Sequence, residues 1–181
     1  MNEKIYDEIS RISEEIVKIC AENHLKIATA ESCTGGMISA AITSVSGSSA
    51  VIELGICSYS NRIKADVLGV SEKTLLEFSE YSLKCAEEMA VGAKTASGAD
   101  FAVSTTGVAG PSGGSREHPV GEVFIAVGTP RGCFPQRFLF SGNRESVRAQ
   151  ACKKALELLF STIKSDYIKV TSKNLLHGRF L

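Results

Sequence analysis

Residues 29–36 constrain the fold of this chain more than any other stretch, because there a strand pattern runs directly into a helical pattern. The strand pattern covers 26–31, and a turn softened by Gly35 and Gly36 leads into a helical pattern over 35–45. A short apolar strand that turns at once into a helix is the building unit of α/β domains. The segment therefore predicts an α/β fold.

The rest of the chain alternates between the same two patterns. Isoleucines at spacings of four and three predict an amphipathic helix that ends near Asn23. Asn61 and Ser71 are predicted to cap helices, and Gly98 to end one. The predicted strands cover 26–31, 53–60, 100–105, 121–128 and 132–140, and further helices cover 62–68, 82–97 and 144–160. This order predicts a three-layer α/β/α fold with a mixed sheet that includes a late antiparallel hairpin.

The length of the chain, 181 residues, fits a single domain. We place that domain at 1–163. The segment 164–181 mixes polar and apolar residues without clear periodicity, and it is predicted to be a tail that forms an ordered arm, a dimer contact or a disordered end. The sequence leaves the oligomeric state open, with a homo-oligomer such as a dimer among the alternatives.

The charge balance argues against two classes of partner. The chain has 20 Lys and Arg residues and 20 Asp and Glu residues, so no net charge draws it to nucleic acid or to an anionic membrane. No apolar run is long enough to span a bilayer, and the amino-terminal segment lacks the apolar centre of a signal peptide. We expect a cytoplasmic protein with no nucleic-acid or membrane partner.

The cysteines and histidines give no metal-binding pattern. The six cysteines and three histidines are scattered, and neither a C-x-x-C nor an H-E-x-x-H spacing occurs. We therefore expect no bound metal, and cysteines that are reduced and mostly buried.

Ser32 is the candidate nucleophile, because its hydroxyl lies in the corner between the strand and the helix. Backbone N–H groups at a helix amino terminus can stabilise the negative charge that develops on an attacked carbonyl oxygen. We expect those of residues 34–36 to do so. The alternative is that Ser32 or Thr34 only caps the helix.

Tyr59 and Lys64 form a second candidate group, at the end of one strand and in the first turn of the next helix. A cation at a helix amino terminus is disfavoured, and partial burial lowers its pKa further, which would make Lys64 a usable base for Ser32. Tyr59 would relay the proton, orient the lysine or protonate a leaving amine. The alternative is a solvated Lys64 and a Tyr59 that packs in the core.

Two further segments are candidates for binding an anion. The segment 104–115 is rich in glycines and hydroxyl groups, and its backbone N–H groups could cradle an anion, although it is neither a P-loop nor a dinucleotide fingerprint. Arg144 and Arg148 lie on one face of a helix start, where a phosphate would receive charge-assisted hydrogen bonds. The alternatives are a plain surface loop and arginines neutralised by an acid such as Glu145.

Taken together, these motifs resemble the CinA carboxy-terminal, nicotinamide-nucleotide amidase family. The segments that carry the resemblance are 30–36, 59–61 with Lys64, 106–111, 119–121 and 144–148. The resemblance spans about residues 5–160. It implies hydrolysis of the carboxamide of nicotinamide mononucleotide to nicotinate mononucleotide and ammonia, a step of pyridine-nucleotide salvage, with no metal and no cofactor.

The resemblance also implies roles for individual residues. Ser32 matches the nucleophile of the family, and Tyr59 and Lys64 match the residues associated with its activation. The residues expected around the nucleotide substrate are Glu31, Thr34, Gly35, Gly36, Thr106, Gly107, Gly110, Gly113, Arg144 and Arg148.

Two other functions are weighed against this one. A thiol hydrolase would use Cys33, but no histidine partner for it is recognisable. A non-catalytic nucleotide-binding or regulatory module of the competence or DNA-damage type would not need the serine, tyrosine and lysine positions, which are intact. The zero net charge also weakens a direct role on DNA.

Overall fold

The computed structural model describes the backbone of residues 2–177 and the side chains of residues 3–166. Its strands are β1 (Ile27–Glu31), β2 (Ile52–Cys57), β3 (Phe101–Gly107), β4 (Glu122–Thr129) and β5 (Gly132–Leu139). Its helices are α1 (Asn2–Glu22), α2 (Met37–Thr43), α3 (Asn61–Leu68), α4 (Glu72–Glu77), α5 (Leu83–Ser97) and α6 (Arg144–His177).

One five-stranded sheet forms the middle layer, in the order β2-β1-β3-β4-β5. β1 pairs in parallel with β2 and β3, while β4 is antiparallel to β3 and forms a hairpin with β5. Helices α1, α2 and α6 cover one face through a large apolar cluster, and α3 and α5 cover the other. The predicted three-layer α/β/α fold with a mixed sheet and a late hairpin is confirmed.

The boundary between β2 and α3 differs from the prediction. β2 ends at Cys57 rather than at residue 60, because the chain leaves the sheet there to begin α3. Ser60, not Asn61, caps α3: its side chain accepts a backbone N–H of the first turn, and Asn61 is already helical. Ser71 caps α4 and Gly98 ends α5, as predicted.

The last helix is longer than predicted, since α6 continues beyond residue 160 to His177. Ile163 still packs in the core, and the buried carboxylate of Asp166 pairs with Arg131 of the β4–β5 hairpin. The predicted tail 164–181 thus begins inside α6. The side chains of 167–181 lie outside the described residues, so the alternatives for that segment stay predictions.

Two kinds of feature do not occur among the described residues. No helix among residues 2–177 combines the length and the apolar composition needed to cross a bilayer. The described side chains also contain no group of three His, Cys, Asp or Glu residues arranged to hold a metal ion.

Candidate active site

The candidate residues meet at the edge of the sheet where the three parallel strands end. Ser32 follows β1, Tyr59 follows β2, and the glycine-rich loop follows β3. The Ser32 N–H donates to the Thr105 carbonyl oxygen at 2.9 Å, which holds the serine against β3. In open α/β sheets ligands bind at this carboxyl edge.

Lys64 reaches Ser32 from the first turn of α3. Its Nζ lies 3.1 Å from Ser32 Oγ and 3.1 Å from the carbonyl oxygen of Ser58, so both hydrogen-bond partners are neutral. Lys64 is only 1% exposed, and burial lowers its pKa because the charged ammonium loses its hydration. The alternative of a solvated lysine is wrong. A hydroxyl beside an amine that favours its neutral form is arranged for proton transfer.

The Glu31 carboxylate, and not the Ser32 hydroxyl, accepts the free backbone N–H groups at the amino end of α2. It is buried and accepts three backbone N–H groups of α2 and its cap, together with the Ser39 hydroxyl. The Gly36 N–H is one of these donors, and the Gly35 N–H donates to the Ser32 carbonyl oxygen at 3.1 Å. These two amides are therefore engaged, contrary to the prediction that they hold an oxyanion, and Glu31 stabilises the helix rather than facing the substrate.

Thr34 and Arg148 brace the turn that carries Ser32. The Thr34 hydroxyl shares a hydrogen bond with the Thr105 hydroxyl at 2.7 Å, and Arg148 Nη2 donates to the Thr34 carbonyl oxygen at 2.7 Å. Neither side chain lines the cavity beside Ser32. The structure therefore gives these two residues a bracing position, where the sequence predicted contact with the substrate.

A cavity of about 120 Å³ opens beside Ser32. Cys33, Tyr59, Tyr81, Arg144 and the segment 107–113 of the glycine-rich loop form its walls. Of the predicted substrate-binding residues, those that line it are Gly107, Gly110, Gly113 and Arg144. Lys64 does not itself line the cavity, and its amine reaches the edge of the cavity at Ser32 Oγ.

Arg144 joins two walls of this cavity. Its guanidinium donates to the Gly110 carbonyl oxygen at 2.8 Å and to the Tyr59 hydroxyl at 2.8 Å. Tyr59 is 64% exposed, so the alternative of a core tyrosine is wrong. The structure brings Ser32 and Lys64 into direct contact, whereas the hydroxyl of Tyr59 is held by Arg144 at the wall.

The glycine-rich loop reaches the cavity through close backbone packing. A side chain on Gly107 would collide with the Glu122 carbonyl oxygen, and one on Gly110 would collide with Val120. Both residues also have φ values, 154° and 75°, that favour glycine. Thr106 points away from the cavity, since its hydroxyl donates to the Glu80 carbonyl oxygen at 2.7 Å. The Thr106 hydroxyl is thus engaged away from the cavity, and its contact with the substrate stays a prediction.

Comparison with known proteins identifies the family of this chain. The sequence of residues 9–163 matches the protein-family model of the CinA C-terminal domain. The chain belongs to the CinA C-terminal domain family. It is 45% identical over 154 residues to the nicotinamide-nucleotide amidohydrolase PncC of Escherichia coli K12, an alignment that covers 84% of this chain and 93% of that protein.

Other CinA relatives are longer, and solved structures share the fold. A CinA-like protein of Flavobacterium psychrophilum is 42% identical over 164 residues, which cover 91% of this chain but 39% of that protein. The crystal structure of the competence/damage-inducible protein CihA from Agrobacterium tumefaciens has a TM-score of 0.83 and 40% identity, over 85% of this chain and 94% of that one.

Sequence reasoning missed Tyr81 at the site of this CinA domain, and it did not single out Thr105 within the candidate segment 104–115. Tyr81 lines the cavity from a position just before α5. The Thr105 carbonyl oxygen accepts the Ser32 N–H, and the hydroxyl of Thr105 shares a hydrogen bond with that of Thr34. Thr105 had a detectable signal, because it ends a predicted strand beside the glycine-rich loop. Tyr81 had none, since only the order of the strands brings its segment near Ser32.

The thiol of Cys33 is a poor nucleophile despite its position on the cavity wall. The residue is buried, and burial raises the pKa of the thiol to about 12. The thiolate is the reactive form of cysteine, and this environment disfavours it. The geometry favours Ser32 over Cys33 as the nucleophile of this CinA domain.

Proposed function

We propose that this CinA domain hydrolyses the carboxamide of nicotinamide mononucleotide, giving nicotinate mononucleotide and ammonia. The observation that carries the proposal is the 3.1 Å contact between Ser32 Oγ and the buried amine of Lys64. A hydroxyl beside an amine whose pKa is lowered by burial is placed for activation as a nucleophile. The 45% identity to a nicotinamide-nucleotide amidohydrolase supports the choice of amide.

In the first half of the reaction, Lys64 takes the hydroxyl proton as Ser32 Oγ bonds to the amide carbon. The carbonyl electron pair moves onto oxygen, and the C–N bond breaks as that pair returns. The leaving nitrogen receives the proton, directly from Lys64 or relayed through Tyr59, and departs as ammonia. In the second half, Lys64 takes one proton from a water as its oxygen attacks the acyl ester, and that proton passes to Ser32 Oγ as the ester bond breaks. The acid that forms gives its remaining proton to solvent and leaves as the carboxylate.

The oxyanion needs donors other than the Gly35 and Gly36 amides, which are engaged. Backbone N–H groups that face the carbonyl contribute strongly in such sites. We assign this role to the amides of Cys33 and Thr34 next to Ser32, or to those of Ala109 and Gly110 in the facing loop, since the Val108 amide donates to the Glu122 carbonyl oxygen.

The cavity at Ser32 holds only part of a nucleotide, because pockets that enclose whole drug-sized ligands measure roughly 300–1,000 Å³. A second cavity of about 560 Å³ shares Arg144 and is lined also by Pro111, Val120 and residues 142–145. We propose that the pyridine ring enters the first cavity and the ribose phosphate extends towards the second. Arg144 has five N–H donors, and those not used by Gly110 and Tyr59 would bind the phosphate.

Tyr59 lies beside this path, with its hydroxyl accepting from Arg144. We propose that it orients the ring at the cavity mouth or protonates the leaving amine. A role in orienting Lys64 is less well supported, because the described hydrogen bonds of Lys64 go to Ser32 and Ser58.

The first test is the release of ammonia from nicotinamide mononucleotide, with the riboside and free nicotinamide as controls. We expect kcat/KM for the mononucleotide to exceed that for the riboside by roughly 10- to 100-fold, the worth of hydrogen bonds to a charged group. Equal rates on all three amides would remove the phosphate site from the proposal. No ammonia from any of them would leave the non-catalytic nucleotide-binding module as the better function.

A second test replaces Arg144 with lysine, which cannot keep the bonds to Gly110 and Tyr59 and also bind a phosphate bidentately. We expect KM for the mononucleotide to rise by about tenfold, with KM for the riboside little changed. Arg62→Lys is the matched control, because Arg62 is exposed on α3 and its ion pair among the described side chains is with Asp66, four residues away. An equal loss on both substrates would contradict a phosphate-binding Arg144.

The wider setting stays a prediction. It includes a place in pyridine-nucleotide salvage, a cytoplasmic location, the absence of nucleic-acid and membrane partners, and a homo-oligomer such as a dimer. None of these enters the chemistry at Ser32.

A further inference from the structure

Ser58 carries a buried hydroxyl that forms no hydrogen bond with any described residue. The residue is completely buried, so bulk water does not reach it either. Burying a hydroxyl without a partner costs free energy, and native proteins pair nearly all such groups. A group left in this state next to a reactive centre calls for a functional explanation.

The alternation of side chains along β2 directs Ser58 to the face of the sheet that carries Lys64. Leu54 and Ile56 pack in the cluster of α3 and α5, while Cys57 faces α2. The Ser58 N–H donates to the Glu31 carbonyl oxygen at 2.8 Å, so Ser58 extends the parallel ladder beyond the end of β2. Side chains two residues apart on a strand share a face, which places the hydroxyl on the side of α3.

The alternation of side chains along β1 also places Ser32 on the face of the sheet that carries α3. Ala28 and Ala30 of β1 pack in the cluster of α3 and α5, and Ser32 lies two residues further on. Lys64 Nζ then touches both strand ends, at 3.1 Å from Ser32 Oγ and 3.1 Å from the Ser58 carbonyl oxygen. The alternation therefore places the Ser58 hydroxyl on the same buried face of the sheet as Ser32 Oγ and Lys64 Nζ.

The amine of Lys64 changes its hydrogen-bonding needs during the reaction. In the resting enzyme the two N–H groups of the neutral amine match two acceptors, Ser32 Oγ and the Ser58 carbonyl oxygen, and the lone pair turns to the Ser32 hydroxyl only when it takes the proton. After it takes the proton, the ammonium has three N–H donors, while the structure gives it only two acceptors, Ser32 Oγ and the Ser58 carbonyl oxygen. A third acceptor is needed only in the charged state.

We propose that Ser58 Oγ is a positioning group that accepts the third N–H of Lys64 once Lys64 has taken the proton of Ser32. Rotation about the Cα–Cβ bond moves Oγ among three staggered positions without moving the backbone. The bond would form as the charge develops, so it would stabilise the transition state more than the resting enzyme. The inference rests on the proposed function, since it uses the same serine and lysine.

Ser58→Ala tests the proposal, with Ser58→Thr as the variant that keeps the hydroxyl. Ser104→Ala is the matched control. Ser104 is buried on the same face of the next strand, β3, but its hydroxyl donates to the Ala86 carbonyl oxygen at 2.6 Å and has a structural partner. The measurements are kcat, KM, the pH profile of kcat/KM and the midpoint of thermal unfolding.

We expect Ser58→Ala to lower kcat by roughly 10- to 100-fold, the range for a hydrogen bond to a charged group, with KM unchanged. The acid limb of the pH profile should move to lower pH, because the ammonium of Lys64 loses an acceptor. The unfolding midpoint should stay or rise, since an unpaired hydroxyl is removed. Ser58→Thr should retain most of kcat, and Ser104→Ala should lose thermal stability while kcat stays normal.

A second readout separates this inference from the amidase proposal. Covalent labelling of Ser32 by phenylmethanesulfonyl fluoride, followed by mass spectrometry at several pH values, reports on Lys64 without any amide substrate. Slower labelling of Ser58→Ala, with its acid limb shifted to lower pH, would support the role of Ser58 even if nicotinamide mononucleotide proved not to be a substrate. Wild-type labelling and kcat in Ser58→Ala, or a large loss of its thermal stability, would overturn it.

Discussion

Replacing Ser32 with alanine should reduce the release of ammonia from nicotinamide mononucleotide by at least about 10⁴-fold, the scale seen when a serine nucleophile is removed. No neighbouring group can take its place. Burial raises the pKa of the adjacent Cys33 thiol to about 12, and Lys64 does not itself line the cavity. Binding of the nucleotide should be nearly unchanged, because the loss of one hydroxyl leaves the cavity walls in place.

The measurement combines single-turnover ammonia release with calorimetric titration of the nucleotide. Cys33→Ser is the control, since it alters the next residue on the same cavity wall but keeps Ser32. Normal rates in Ser32→Ala, or the loss of activity in Cys33→Ser alone, would show that the nucleophile is assigned to the wrong residue.

Replacing Lys64 with methionine should lower kcat by about 10²- to 10⁴-fold, the usual contribution of a general base, and should also stabilise the protein. Burial lowers the pKa of Lys64 below its usual 10.5. Between that lowered pKa and 10.5 the unfolded chain holds a proton that the folded chain has released, so stability rises with pH there. The burial penalty is fully present below the lowered pKa, and methionine does not carry it.

Urea unfolding at pH 6 and near pH 10.5 would measure this effect. The stabilisation of Lys64→Met over the wild type should be largest at pH 6 and should shrink as the pH approaches 10.5. Lys26→Met is the control, because Lys26 is well exposed and its ion pair with Glu53 is a surface contact of little energy. A destabilised Lys64→Met at pH 6, or a variant with wild-type kcat, would contradict the role of a desolvated base.

Local patterns allowed most of the fold to be predicted. The isoleucine stripe of α1, the cap at Ser71 and the glycine at the end of α5 all depend on neighbours within a few residues, which a sequence displays directly. The position where α6 ends was not predicted, because one contact that stabilises this part of the helix involves a residue far away in the sequence. Asp166 of α6 pairs with Arg131 of the β4–β5 hairpin.

The sequence allowed only part of the candidate site to be predicted. A lysine in the first turn of α3 could be seen in the sequence, but its contact with Ser32 depends on β1 and β2 lying side by side. The roles of Glu31 and Arg148 were missed because they depend on where a side chain points. One carboxylate turns to the amino end of α2, and one guanidinium reaches back to the turn before it.

Arg144 and Arg148 sit one turn apart at the start of α6, and each holds a different part of the site. Arg148 donates a hydrogen bond to the turn after β1. Arg144 donates hydrogen bonds to the loop after β3 and to the tyrosine after β2. The segments that follow β1, β2 and β3 are translated first, and α6, which holds them in place through these hydrogen bonds, is translated last. A nascent chain would carry its nucleophile long before it could use it, so amide cleavage should begin only after synthesis has passed this helix.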